Sequence, residues 1–247
     1  MISNFRDFGG VPAGGRLVRK GVLYRSGQPG PLGTVSIETL EAFGFEMVVD
    51  LRFADEVRHA AIGWNGPPPR TLALEEGAGG DAPHHAFFRE APRSVDAVHD
   101  VYSRFYQALP GDPRYCRLVA RALRRISSDE GPVLIHCSAG KDRTGFVCAL
   151  LLQLLGVDAA AIEADYLASN APEARAALRP ELERRFTAHG SSLPEGEVLD
   201  AMLGVAPSYL AASFGTIWSE FGTTDTYLDA IGVDSDVRER LRARLLR

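Results

Sequence analysis

Three cysteines, Cys116, Cys137 and Cys148, are all that 247 residues contain. The number is odd and no two stand close together, so neither a disulfide framework nor a structural zinc or CxxC redox site is indicated. They read as thiols of a reducing compartment. Also missing is the run of roughly 18 apolar residues that a membrane span needs. The opening "MISNFRDFGGVPAGGRL" has neither the basic start nor the apolar core of a secretory signal. The expectation is a cytoplasmic protein with no integral membrane segment. Positive charge is in deficit as well: 27 Lys and Arg against 32 Asp and Glu leave a formal charge of -5. No basic field surrounds the molecule, so nucleic acid is not an expected partner and an anionic substrate must be drawn by local charge. No internal repeat or low-complexity tract is found, which excludes a solenoid.

What is present can bury a core. With 45% apolar and 24% charged residues, the chain reads as a single domain over residues 1–247. Within residues 63 to 85, "GWNGPPPR" and "EEGAGGDAPHH" form a Gly- and Pro-rich passage expected to be a long surface loop. Before it, "SIETLEAFG" places Ile37, Leu40, Ala42 and Phe43 on one helical face with Gly44 as the stop, and "FEMVVDLR" reads as a buried strand. After it the plan is almost wholly helical. "SVDAVHDVYSRFYQAL" and "YCRLVARALRRI" are amphipathic helices, "PVLIHC" is a short buried strand, and "TGFVCALLLQLLG" is apolar on nearly every side, as a central covered helix should be. From Asp158 onward further helices are spaced by Gly, Pro, Asn and Asp, with Pro172, Pro180 and Pro194 as breaks. The fold class is α/β, with a helical C-terminal half.

Cys137 therefore sits at a strand-to-helix turn, with "SAGKD" between it and Arg143. In such a turn the backbone N–H groups of Ser138, Ala139, Gly140 and Lys141 converge, and the positive end of the following helix faces the same point. That is a site for a tetrahedral dianion. Gly140 lets the backbone approach closely, and Arg143 can grip two phosphate oxygens with its planar fork. A cysteine in such surroundings is commonly a thiolate near neutral pH. Held in line with phosphorus it is a nucleophile, so a phosphocysteine followed by hydrolysis is the expected chemistry, with no metal and no cofactor. Thr144 can donate to the departing sulfur, and His136 can fix the loop through backbone contacts. A nucleoside-triphosphate loop is excluded, because Lys141 is followed by Asp142 and Ile135 stands where that motif has glycine.

"HCSAGKDRTG" carries the HCxxGxxR[ST]G signature and resembles the protein tyrosine phosphatase superfamily. The GKDR form is similar to bacterial atypical tyrosine and dual-specificity phosphatases, some of which also act on phosphoinositides. "NFRDFGG", "LYRSGQ", "VVDLRFADE", "DYLASN" and "YLDAIGV" match further family landmarks, so the likeness covers nearly the whole chain. It implies a tyrosine-phosphatase-like fold, a small mostly parallel sheet flanked by helices. It also implies a phosphoprotein or phosphoinositide substrate.

The leaving oxygen needs a proton donor, and two aspartates compete. Asp142 lies in the loop; Asp50 ends a strand that, if parallel to "VLIH", emerges at the same sheet edge. The resemblance implies Asp142 as general acid with Asp50 assisting or competing. Lys141 would suit a substrate with a second phosphate. Arg6, Asp7 and Arg25 read as ion pairs that brace the loop. Cys116 and Cys148 read as core packing. His84 and His85, after Asp81, are read as solvent-facing rather than as metal ligands. The segment 171–203 reads either as a packed helical pair or as a lid insertion over the site. Two other functions share parts of this pattern: a silent phosphate-recognition module, which would need no nucleophile, and arsenate reduction, which would need a resolving cysteine such as Cys148.

Overall fold

All four residues of one short strand, β7 (Val133–His136), are buried, and in the computed structural model this strand is the centre of the sheet. The structure describes residues 4–29, 37–59, 61–74 and 92–247. The sheet has five strands in the order β1 (Arg6–Asp7), β4 (Leu23–Ser26), β7, β5 (Met47–Asp50) and β6 (Arg70–Ala73). β4 and β5 flank β7 in parallel, β6 continues parallel to β5, and β1 closes the far edge antiparallel. A separate hairpin pairs β2 (Pro12–Ala13) with β3 (Arg16–Leu17). Val, Leu and Ile on both faces of β7 and β5 are what a parallel strand covered on both sides requires. The register sets Ser26, His136 and Asp50 side by side at the carboxyl edge, where open α/β sheets bind ligands.

Two short helices, α1 (Ile37–Glu41) and α2 (Ala54–His59), flank β5 in sequence. The helical series then runs through α3 (Val95–Ala108), α4 (Pro113–Ser128) and, after β7, α5 (Asp142–Leu154). It continues with α6 (Ala159–Leu167), α7 (Pro172–Ala188), α8 (Gly196–Leu203), α9 (Pro207–Phe221), α10 (Thr224–Ala230) and α11 (Ser235–Leu245). The fold is the expected small, mostly parallel sheet flanked by helices, with a helical C-terminal half. Eleven of the 13 residues of α5 are buried, as its all-round apolar character demands.

Three expectations need correction. The stretch expected as a loop contains β6, an edge strand that follows the three prolines at 67–69. Pro180 does not break a helix: it lies inside α7, which runs through it. Asp7 braces the hairpin region rather than the cysteine loop, accepting from the amides of Gly9 at 2.8 Å and Gly21 at 2.7 Å. His84 and His85 lie outside the described residues.

Candidate active site

Cys137 follows β7 at the carboxyl edge and is 1% exposed. Residues 138–141 then turn into α5. Three successive carbonyls of this turn are held from outside: Ser138 O by the amide of Gln28 (3.0 Å), Ala139 O by Asn4 Nδ2 (2.8 Å) and Gly140 O by Arg25 Nη2 (3.0 Å). Each peptide unit is planar and trans, so fixing its carbonyl outward turns the next N–H inward. The Gly140 N–H donates to Cys137 Sγ at 3.2 Å. Gly140 has φ of +70°, and a Cβ there would lie 2.2 Å from Gly27 N. No other residue fits that position.

Arg25, which pins Gly140, is fully buried and is paired with Asp165 of α6, which Arg6 also grips through Nε at 2.9 Å. Burial pushes the Asp165 carboxyl up, but Arg25 and Arg6 more than offset this and hold it below its ordinary value. Arg6 and Arg25 thus brace the loop as the sequence suggested. Asn4, Gln28 and Asp165 were not singled out there, although each lies in or beside a quoted landmark.

Arg143, one residue into α5, is buried against Glu56 of α2, with Nη1 to Oε2 at 2.6 Å and Nη2 to Oε1 at 2.8 Å. Nη1 also donates to Leu51 O at 3.2 Å, and Nη2 approaches Ser138 Oγ at 3.5 Å. Glu56 is further tied to the amide of Phe53 at 2.8 Å and to the Ser138 hydroxyl. All four of these Arg143 contacts are made by Nη1 or Nη2, and the edge formed by Nε–H and the weakly engaged Nη2–H is suited to two oxygens of an anion. Sequence reasoning missed Glu56. The only signal is that a buried arginine needs a counter-charge, and "VVDLRFADE" ends in one.

Asp142 opens α5, lines the cleft above Cys137, and accepts a hydrogen bond from Tyr106 at 3.0 Å. Lys141 is buried and donates to Tyr102 OH (2.6 Å), Met202 O (2.7 Å) and Gly204 O (2.8 Å). Its three ammonium hydrogens are therefore spent on α3 and the carboxyl end of α8. Burial pushes this ammonium's pKa down. Asp50 reaches the expected sheet edge but is turned into the protein. It is 3% exposed, forms a two-oxygen pair with Arg52 at 2.7 to 3.2 Å, and lies 3.6 Å from His136 Nε2. It does not line the cleft. His136 Nδ1 lies 3.4 Å from Cys137 O. Among the described residues, Thr144 Oγ1 is buried without a hydrogen-bond partner.

The cleft has a volume of about 120 Å³ and opens to solvent. Cys137, Ser138, Ala139, Lys141, Asp142 and Arg143 line it together with Tyr102 and Phe105 of α3, Leu178 and Leu182 of α7, and Met202 and Leu203 of α8. An anion cradle thus lies beneath largely apolar walls. Cys148 is wholly buried in α5, and burial pushes its thiol up to about 12. Cys116 is half-buried in α4 and meets Pro110 O at 3.1 Å. Among the described residues no single helix is long and apolar enough to cross a membrane.

Comparison with known proteins matches this description. The model of the tyrosine phosphatase family covers residues 1–247. The triple specificity protein phosphatase PtpB of Mycobacterium tuberculosis is 32% identical over 269 aligned positions, covering 98% of this chain and 96% of that protein. A tyrosine-protein phosphatase of Nostoc commune is 34% identical over 233 positions, covering 90% and 74%. Among solved structures, P. aeruginosa TpbA aligns over 67% of this chain and 83% of its own at 20% identity, with a TM-score of 0.33. The chain, whose turn after β7 reads "HCSAGKDRTG", belongs to the tyrosine phosphatase family.

Proposed function

We propose that this chain hydrolyses phosphotyrosine in proteins, with Cys137 as nucleophile, Arg143 and the amides of residues 138–141 as the anion cradle, and Asp142 as general acid. In the first step Sγ forms a bond to phosphorus, the ester P–O bond breaks, and the Asp142 proton passes to the leaving tyrosyl oxygen. In the second, water attacks phosphorus, the Asp142 carboxylate takes its proton, and the S–P bond breaks with Thr144 Oγ–H donating to the departing sulfur. Arg143 Nε and Nη2 hold two equatorial oxygens throughout. No step uses a metal. Asp50, enclosed by Arg52 and His136, has no place in this sequence except to hold the sheet edge.

The carrying observation is that Cys137, which receives the Gly140 amide, lines one cleft together with Arg143 and Asp142. A phosphate reader would need the cradle but not the sulfur, and an arsenate reductase would need a second reactive thiol where Cys148 is sealed and protonated. The depth of Cys137 favours a long aromatic phosphoester over phosphoserine or phosphothreonine. A second phosphate, as on an inositol lipid, would require Lys141 to leave three acceptors. The segment 171–203 acts as a lid, since α7 and α8 supply one wall of the cleft and Lys141 fastens the end of α8. The test is phosphate release from a phosphotyrosine peptide in excess EDTA, with Cys137→Ser beside the native protein. Turnover that survives chelation and disappears in the variant is expected. Tight peptide binding with no turnover by the native chain would instead favour the reader.

A further inference from the structure

Two buried tyrosines on different helices form a hydrogen-bonded chain that ends on one carboxylate. Tyr106 on α3 and Tyr166 on α6 are both 0% exposed. Tyr106 OH donates to Asp142 Oδ1 at 3.0 Å and lies 2.7 Å from Tyr166 OH. A phenol has one hydrogen. Since that of Tyr106 is given to Asp142, Tyr166 must be the donor to Tyr106, and the chain runs from Tyr166 through Tyr106 to Asp142. We propose that Tyr106, backed by Tyr166, is the positioning residue of the phosphatase reaction: it makes Oδ1 the accepting oxygen and so leaves Oδ2 as the one that carries the acid proton. The inference rests on Asp142 being the general acid.

Much of the surrounding structure serves to hold this pair. The Tyr166 ring lies against Gly145 of α5, where a Cβ would come within 2.9 Å of two ring carbons. The glycine that closes the signature is thus the space Tyr166 needs. The Tyr106 carbonyl accepts from Ser213 Oγ of α9 at 2.6 Å, and its ring lies 5.6 Å from that of Tyr209. Burial holds both phenols well above their ordinary value, so the chain stays protonated through the range in which a phosphatase works. A buried hydroxyl without a partner is costly, and among the described residues these two are satisfied by one chain that ends on Asp142.

The other titratable or charged groups around Asp142 are Lys141, with Nζ 3.9 Å from Oδ2, Cys137 and Arg143 in the loop, Tyr102 on α3, Tyr209 on α9, and Glu181 and Arg185 of α7 across the cleft. None of these changes when a single hydroxyl is removed from Tyr106, so Tyr106→Phe isolates its bond. Its ring packing is retained, and a thermal midpoint confirms folding.

The experiment compares kcat/KM, which reports the first chemical step, for a phosphotyrosine peptide and for p-nitrophenyl phosphate, whose leaving group needs less protonation. In Tyr106→Phe the peptide value is expected to fall about tenfold and the nitrophenyl value about twofold. Tyr166→Phe should move both values in the same direction by less, and stands in if Tyr106→Phe does not fold. Equal losses on both substrates would overturn the inference. Asp142→Asn separates the two readings. If it is selective for the peptide and Tyr106→Phe is not, the tyrosine proposal alone fails; if Asp142→Asn does not discriminate between substrates, the assignment of the acid fails first and the tyrosines with it.

Discussion

A charge as deep as that of Arg143 survives only because Glu56 meets it. Burial by itself would weaken the hold of Arg143 on its proton, and the paired carboxylate more than offsets this. The pair fixes the fork on two sides and leaves the third for the anion. Glu56→Gln keeps the shape and removes the charge, leaving a buried cation without its partner. The expected cost is about 3 kcal/mol of folding stability, read from a denaturant midpoint. The fork would also lose its alignment, so kcat/KM for a phosphotyrosine peptide should fall on the order of 10²-fold. A variant that loses activity while its stability is native would mean that Glu56 acts on substrate rather than on Arg143. This residue was hidden in the sequence, because nothing local links position 56 to position 143. The sulfur, the arginine and the glycine between them were legible, since a turn that must bind a dianion admits few residue types.

Among the elements, α5 and α7 are opposites. α5 buries eleven of its 13 residues, while α7, 17 residues long, buries only Ala174 and Phe186. Pro180 inside α7 has no N–H to give to the carbonyl of Ala176, so the helix lacks one rung at its middle. Low burial and a missing rung lower the free energy of local opening. Backbone amides of α7 and α8 should therefore exchange with solvent at least about 100-fold faster than those of α5, with the gap narrowing when phosphate fills the cradle. Equal protection in all three helices, with and without phosphate, would make the segment 171–203 a fixed wall and not a lid. The two helices differ in legibility for the same reason. An apolar segment of that length has one use in an α/β domain, whereas a charged helix with a central proline reads equally as a break. β4 was harder still: "LYRS" looks polar, and only Asp165, 140 residues away from Arg25, explains how a strand can bury an arginine.

For the whole molecule, the buried titratable groups beneath the site should set its response to acid. His136 is 0% exposed, and burial pushes its pKa below the ordinary 6.5, with Arg52 and Arg143 adding to this and Asp50 opposing it without prevailing. Asp165 is held below its ordinary 3.8 by Arg25 and Arg6 against the effect of its own burial. In both cases the unfolded chain binds a proton more readily than the folded one, so stability rises with pH wherever the unfolded group titrates. The histidine contribution is complete above about 6.5 and is lost as pH falls toward the lower folded value. The carboxylate contribution is complete above about 4 and is lost below it. Urea midpoints measured from pH 8 to pH 3 should accordingly decline in two stages. His136→Gln should flatten the first stage, and Asp165→Asn the second, while lowering stability at neutral pH because Arg25 loses its partner. A native midpoint that stays level from pH 7 to pH 5 would mean that His136 takes up its proton in the folded protein over the same range as in the unfolded chain, and the sheet edge below Cys137 would then gain a positive charge as the pH falls.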